Sequence, residues 1–64
     1  MRTPAILEEL EVYHDISISE IGFIIGAHEN MVWRWKQHMQ EPTPQQKDKL
    51  KRLLERLNNS HRNP

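Results

Sequence analysis

Apolar residues recur along this chain at spacings of three and four, the periodicity of amphipathic helices, and no segment alternates as a strand does. The first apolar stripe consists of Ile6, Leu7, Leu10 and Tyr13. Thr3 can cap a helix that has Pro4 at its first position, where a missing N–H is tolerated. The pattern therefore predicts a first helix from Pro4 to about His14.

The start of the second helix is marked by four residues. Ser17 and Glu20 have the spacing of a capping box, and Ile16 and Ile21 have the spacing of the hydrophobic staple that often surrounds one. A short helix of about two turns is expected to end at Gly26 in the left-handed conformation. Its buried stripe is predicted to consist of Ile21, Ile24 and Ile25.

A third helix is predicted from Glu29 to about His38. His28 precedes it, and histidine is a poor capping residue. Val32 and Trp35 are expected to point into the core, since large apolar side chains at this spacing share one face. The outward face is expected to carry Glu29, Asn30, Trp33, Arg34 and Gln37.

Thr43 and Gln46 form a second capping-box pattern, with Pro44 at the first helical position. The apolar stripe of this fourth helix consists of Leu50, Leu53, Leu54 and Leu57. Residues 58–64 have no periodicity and are expected to be frayed. The sequence thus predicts an all-α fold, a compact bundle of four short helices forming one domain over residues 1–64.

Charge is distributed unevenly along a chain whose net charge is zero. Residues 1–27 carry one arginine and five carboxylates, a balance of −4, and residues 28–64 carry eight basic and four acidic side chains, a balance of +4. This asymmetry favours one anion-seeking side, although helix surfaces that simply differ in charge would give the same split. A solvated face that adds long-range attraction is expected for Lys47, Lys49, Lys51 and Arg52.

Several functional classes are disfavoured by what the sequence lacks. There is no cysteine, the four histidines have no metal-ligand spacing, and no apolar run is long enough for a membrane span. No nucleophile has a basic partner at motif spacing, and no glycine-rich phosphate loop occurs. The sequence therefore predicts a soluble, cytoplasmic protein that is not an enzyme and has no metal, cofactor or small-molecule ligand.

Two helices joined by a tight glycine turn, the second with outward polar groups, are typical of a helix-turn-helix, here at residues 18–39. Further features are Gly22 where the helices would cross, Ala27 after the turn glycine, the run Val32-Trp33-Arg34-Trp35 and the segment Pro42-Thr43-Pro44. In these features the chain resembles the phage Cro proteins and repressors and the related xenobiotic-response-element-type regulators. The resemblance covers about residues 7–57.

The sequence departs from that family at three positions. Gly22 stands where alanine is usual, His28 where a capping serine or threonine is common, and Phe23 where a solvated polar residue is expected. The departures bear on how two copies would pair more than on the motif. The resemblance still implies a lambda-repressor-like DNA-binding domain.

The resemblance places the helix at residues 29–38 in the DNA major groove, with its first residues at the base edges. There Asn30 could pair with adenine, Arg34 with guanine and Glu29 with cytosine, whereas Trp33 could cover the DNA backbone, a base methyl or a partner chain. Trp35 is expected in the core. Candidate phosphate contacts are Ser17, Ser19, Lys36, Gln37, His38, Gln40 and Thr43.

The expected function is sequence-specific transcriptional regulation, as a repressor or autorepressor of a phage or mobile-element operon. The expected partners are double-stranded DNA with a palindromic operator and a second copy of the chain, because 64 residues bury little core alone. Phe23, Trp33 and Met39 are the favoured dimer contact. Two alternatives remain: a protein-interaction module such as an antitoxin or adaptor, and an excisionase-like architectural DNA binder.

Overall fold

Four helices surround one apolar core in the computed structural model, which describes the backbone of residues 2–62 and the side chains of residues 2–60. Helix α1 spans Thr3–Glu8 and continues directly as a π-helical segment, Glu9–Tyr13. Helices α2, α3 and α4 span Ile18–Ile25, Glu29–Lys36 and Pro44–Arg62. No strand occurs between residues 2 and 62, so the predicted all-α bundle of four helices is confirmed.

All four helices contribute to the core. Helix α1 packs against α3 and α4, and α2 packs against α3 and, with fewer contacts, α4. Leu53 and Leu57 lie partly buried against the core, so the predicted leucine stripe of α4 does face inward. Removing such side chains from water, at about 1.5–3 kcal/mol each, is the main stabilisation available to helices this short. The buried apolar residues are Ile6, Leu7, Leu10, Ile21, Ile25, Val32, Trp35, Leu50 and Leu54.

The start of α1 differs from the sequence prediction. The helix begins at Thr3, Arg2 takes the cap position, and no side chain caps it. Thr3 is buried, and its Oγ1 has no hydrogen-bond partner among the described residues. The predicted Thr3 cap is therefore wrong, although Pro4 does lie in the first turn, where its missing N–H is tolerated.

The π-helical segment changes which side chains reach the core. The N–H of His14 donates to the carbonyl of Glu9 at 3.2 Å, a bond that spans five residues instead of four. A π-helical turn is wider than an α-helical one, so spacing by three and four no longer keeps residues on one face. Tyr13 is 65% exposed, and its predicted place in the apolar stripe is wrong.

Helix α2 begins and ends as predicted. The Ser17 Oγ accepts from the N–H of Glu20 at 3.1 Å, and the N–H of Ser17 donates to Glu20 Oε1 at 3.4 Å, which completes the capping box. Gly26 ends the helix at φ +77°. Ile24, however, is 53% exposed, so its predicted burial is wrong. It lies about 100° around the helix from the buried Ile25, on the flank towards α4.

Helix α3 is shorter than predicted and has a better start. It ends at Lys36 instead of near His38, which adopts the left-handed conformation at φ +63° and so cannot continue the helix. At the start, the Nδ1 of His28 accepts from the N–H of Asn30 at 3.0 Å. His28 is therefore a working side-chain cap, contrary to the expectation from residue type.

Helix α4 begins with the predicted capping box: Thr43 Oγ1 accepts from the N–H of Gln46 at 3.2 Å, and Gln46 Oε1 accepts from the N–H of Thr43 at 2.9 Å. The helix continues to Arg62, so the predicted frayed tail is wrong over residues 58–62, and residues 63–64 lie outside the described part. The side chain of Asn58 ties this extension to the fold, because it bonds to the first residue of the π-helical segment and to the residue that follows the segment.

The contacts of Asn58 join the two ends of the fold. Its Oδ1 accepts from the Nε2 of His14 at 2.8 Å, and its Nδ2 donates to Glu9 Oε2 at 3.3 Å. Both partners lie more than 40 residues away in sequence.

None of the helices within residues 2–62 has both the length and the apolar character that crossing a bilayer requires.

Candidate nucleic-acid interface

Helix α3 is anchored on one side and open on the other. Val32 and Trp35 are buried in the core, as predicted, and α1 and α2 both pack against this helix. The helical repeat then turns the remaining side chains towards solvent. The exposed face consists of four residues of α3 and the residue that directly follows the helix, the same five that the sequence predicts: Glu29, Asn30, Trp33, Arg34 and Gln37.

The polar side chains of this face have no partners inside the protein. Among residues 2–60, none of the side chains of Glu29, Asn30, Arg34 and Gln37 makes a hydrogen bond or an ion pair. Trp33 lies between them and is 47% exposed, so part of its ring is available for contact. The face therefore offers a carboxylate, two amides, a guanidinium and an aromatic surface along α3 and the residue after it.

The position of α3 is fixed by a close approach at the turn. The carbonyl oxygen of Gly22 accepts from the N–H of Ala27 at 2.8 Å. A Cβ atom at Gly22 would lie 2.6 Å from the carbonyl oxygen of Ala27 and 3.5 Å from Val32 Cγ2. Glycine thus lets α2 contact both the turn and the start of α3, where the sequence analysis places the crossing of the two helices.

The candidate phosphate contacts fall into two groups. The hydroxyls of Ser17 and Thr43 are engaged in the capping boxes, and Lys36 Nζ lies 2.8 Å from Glu11 Oε2. These three groups are committed to contacts within the protein. Ser19, Gln37, His38 and Gln40 are exposed and have no side-chain partner among the described residues.

The first turn of α2 is less favourable for anions than the sequence analysis expected. A helix N-terminus attracts negative charge through its free N–H groups and its dipole. The carboxylate of Glu20 already occupies part of this position, since its Oε1 accepts from both the N–H and the Oγ of Ser17. A phosphate at this end of α2 would have to approach beside that negative charge.

A groove that the sequence analysis did not identify lies between α2 and α4, and we call it the basic groove. Lys49 Nζ reaches to 3.5 Å from the carbonyl oxygen of Ile25 at the end of α2. Arg52 Nε lies 3.0 Å from Asp48 Oδ2 on the same helix. The exposed side chain of Ile24 lines this groove. The groove could not be predicted from a sequence pattern that placed Ile24 in the core. The groove is lined by Ile24, Ile25, Lys49, Arg52, Leu53 and Arg56.

No metal site accompanies these surfaces: within residues 2–60, no three histidine or carboxylate side chains are grouped closely enough to hold an ion. The candidate site is the exposed face of α3, whose unpartnered side chains offer hydrogen bonding and aromatic contact. Comparison with protein-family models, with curated protein sequences and with solved structures finds no match for this chain.

Proposed function

We propose that the protein binds specific double-stranded DNA sequences by inserting α3 into the major groove, and that it regulates transcription in this way. The observation that carries the proposal is the row of unpartnered polar side chains on the outward face of α3. Buried Val32 and Trp35 hold that helix in place from behind. Unused donors and acceptors on a rigid, exposed helix are what reading base edges requires.

The residue types on this face match the hydrogen-bonding groups of the bases. Arg34 can donate two bonds to guanine O6 and N7, Asn30 can pair with adenine N6 and N7, and Glu29 can accept from cytosine N4. Trp33 can contact a thymine methyl or the sugar–phosphate backbone beside them. A helix about 10–12 Å across fits a major groove about 12 Å wide.

Long-range attraction to DNA would come mainly from α4. Lys49, Lys51 and Arg56 are exposed on this helix, whereas the face of α3 carries both Arg34 and Glu29. Such distributed positive charge steers encounters without selecting sequence. The resemblance to phage repressors supports a role as a repressor or autorepressor, and two-fold pairing on a palindromic operator stays a prediction.

The test is selection of bound sequences from a random duplex library, followed by gel-shift titration of the selected duplex with Arg34→Ala. We expect a loss of about 1–3 kcal/mol of specific affinity, because one bidentate base contact is removed. Circular dichroism should show unchanged helix content. Arg52→Ala, at another exposed arginine, is the matched control and should weaken binding to all sequences alike.

Trp35→Ala separates the reading face from its support. Removing this buried side chain should cost about 3–5 kcal/mol and unfold the domain, so helix content and binding are lost together.

Absence of DNA binding at low salt, or binding that ignores sequence, would contradict the proposal. The first result would favour a protein-interaction module, for which the 89% exposure of Phe23 is the supporting observation, and the second an architectural DNA binder.

A further inference from the structure

Two exposed surfaces among the described residues each combine apolar and charged side chains, and the charges are acidic on one surface and basic on the other. One is the basic groove between α2 and α4. The other, which we call the acidic face, lies on α1 and the π-helical segment. We propose that the protein associates with itself head to tail, the acidic face of one copy binding the basic groove of the next. The acidic face consists of Ala5, Glu8, Glu9, Val12 and Tyr13.

Each surface presents an aliphatic side chain to water. Val12 is 78% exposed on the acidic face, and Ile24 is 53% exposed at the basic groove. Contact between the two surfaces would remove both side chains from water, which favours association. This apolar contact would supply affinity that paired surface charges alone seldom provide.

The charges beside these apolar residues are complementary. Glu8 and Arg56 are exposed, and neither makes an ion pair among residues 2–60. Glu9 is partly engaged by Asn58, and Arg52 by Asp48, so Glu8 and Arg56 are the freest charges of the two surfaces. Opposite charges across a contact steer the approach and fix its register.

The two surfaces face different sides of one copy, because the helix that carries the acidic face packs against one flank of α4 and α2 packs against another. A shallow groove lined by Ile6, Lys51, Leu54 and Glu55 marks where α1 meets α4. The basic groove lies where α2 meets α4, on the flank that carries Lys49, Arg52 and Arg56. A contact between the surfaces is therefore between copies, and it joins two different patches.

A contact of two different patches does not close after two copies. Each added copy leaves one acidic face and one basic groove unoccupied, so the assembly can continue to grow. Two-fold pairing through either surface would instead bring like charges together, which opposes association. The inference can be tested without DNA, since Asn30 and Arg34 belong to neither surface. Lys49 and Arg56 of the basic groove are shared with the cations that would attract DNA.

The experiment is sedimentation velocity of the full chain without DNA, over a range of protein and salt concentrations. The acidic-face variant carries Glu8→Gln and Val12→Ser, and the basic-groove variant carries Ile24→Ser and Arg56→Gln. Both variants remove charge and apolar contact without introducing a new attraction. The four positions are exposed, so helix content should stay unchanged by circular dichroism. The single changes Glu8→Gln and Arg56→Gln give the same comparison with a smaller effect.

For the wild type we expect an average mass that rises with concentration and falls with added salt. Each variant alone should associate at least about tenfold more weakly, a change of about 1.4 kcal/mol. An equimolar mixture should recover association as a one-to-one pair that grows no further, because each partner supplies the one surface that the other lacks. Lys51→Gln, which removes one positive charge from the opposite flank of α4, is the control and should associate as the wild type does.

Three results would overturn the proposal. The first is a wild-type chain that stays monomeric up to about 1 mM. The second is a mixture that associates no better than the separate variants. The third is association that Phe23→Asp abolishes and both surface variants retain, which would indicate the two-fold pairing that the sequence predicts.

Discussion

Gly22 decides how closely α2 can approach the turn before α3. Its backbone faces the carbonyl oxygen of Ala27, at a distance that leaves no room for a methyl group. The family that the sequence resembles has alanine at this position, and the exchange for glycine costs helix propensity of about 1 kcal/mol. The close approach gives this chain a structural reason for glycine here, because the group that a methyl would meet is backbone and cannot rotate away.

We therefore expect Gly22→Ala to destabilise the protein despite its better helix propensity. Overpacking against a fixed backbone group costs about 1–3 kcal/mol, and the gain in helix propensity offsets about 1 kcal/mol of that. The free energy of unfolding, measured by urea denaturation, should therefore fall by up to about 2 kcal/mol. Ser19→Ala, at an exposed position of α2, is the control and should change stability by less than about 0.5 kcal/mol. A Gly22→Ala protein as stable as the wild type would show that the turn can move.

The boundaries of individual helices depend on local and distant contacts to different degrees. Both capping boxes could be predicted because each involves residues only three apart, Ser17 with Glu20 and Thr43 with Gln46. The extension of α4 past residue 57 could not, because Asn58 finds its partners more than 40 residues away. Sequence patterns predict helix starts well where the stabilising group is a near neighbour.

The π-helical segment shows the same limit within one helix. The sequence gives the correct length of the first helix to within about a residue, yet it misplaces Tyr13. The register changes where the backbone bond spans five residues, from the N–H of His14 to the carbonyl of Glu9 at 3.2 Å, while Leu10 stays buried. The spacing of apolar residues along the sequence carries no sign of that wider turn.

The proposed reading face depends on the start of α3, which is capped by the side chain of His28. We expect His28→Ala to lower the free energy of unfolding by about 0.5–2 kcal/mol, because the N–H of Asn30 loses its acceptor. His28→Ser should keep or improve stability, since serine is a preferred cap. Amide hydrogen exchange gives the direct measurement: exchange at Asn30 should accelerate in the alanine variant only. Equal protection in both variants would mean that the histidine does not cap this helix in solution.

At the scale of the whole molecule, the uneven charge of the sequence places acidic and basic side chains on different sides of the fold. Glu8 and Glu9 lie on the α1 side, and Lys49 and Arg56 lie along the α2 flank of α4. The ion pair between Lys36 and Glu11 joins α3 to the π-helical segment and neutralises one cation near the proposed reading face. The charge balance of the two halves of the sequence predicts this separation of charge. The ion pair between Lys36 and Glu11, which are 25 residues apart, could not be predicted from the sequence.

The candidate site shows what the helical period can and cannot predict. The outward face of α3 follows from the burial of Val32 and Trp35 alone, so all five of its residues were identified. Which phosphate candidates are engaged elsewhere depends on contacts such as Lys36 with Glu11, and the basic groove depends on where α4 crosses Ile24. Those placements arise only when the helices pack together.

A protein without net charge can still bind DNA in a salt-dependent way if its charges are separated in space. Two copies that together neutralise about six phosphates should give a slope near −5 for the logarithm of the binding constant against the logarithm of salt concentration. Gln40→Glu, just after α3, should reduce affinity for all sequences by adding repulsion near the phosphates. Asn59→Asp adds the same charge near the far end of α4 and should have little effect. A slope near zero for the selected duplex would contradict phosphate contact, because no counterions would then be released from the DNA on binding.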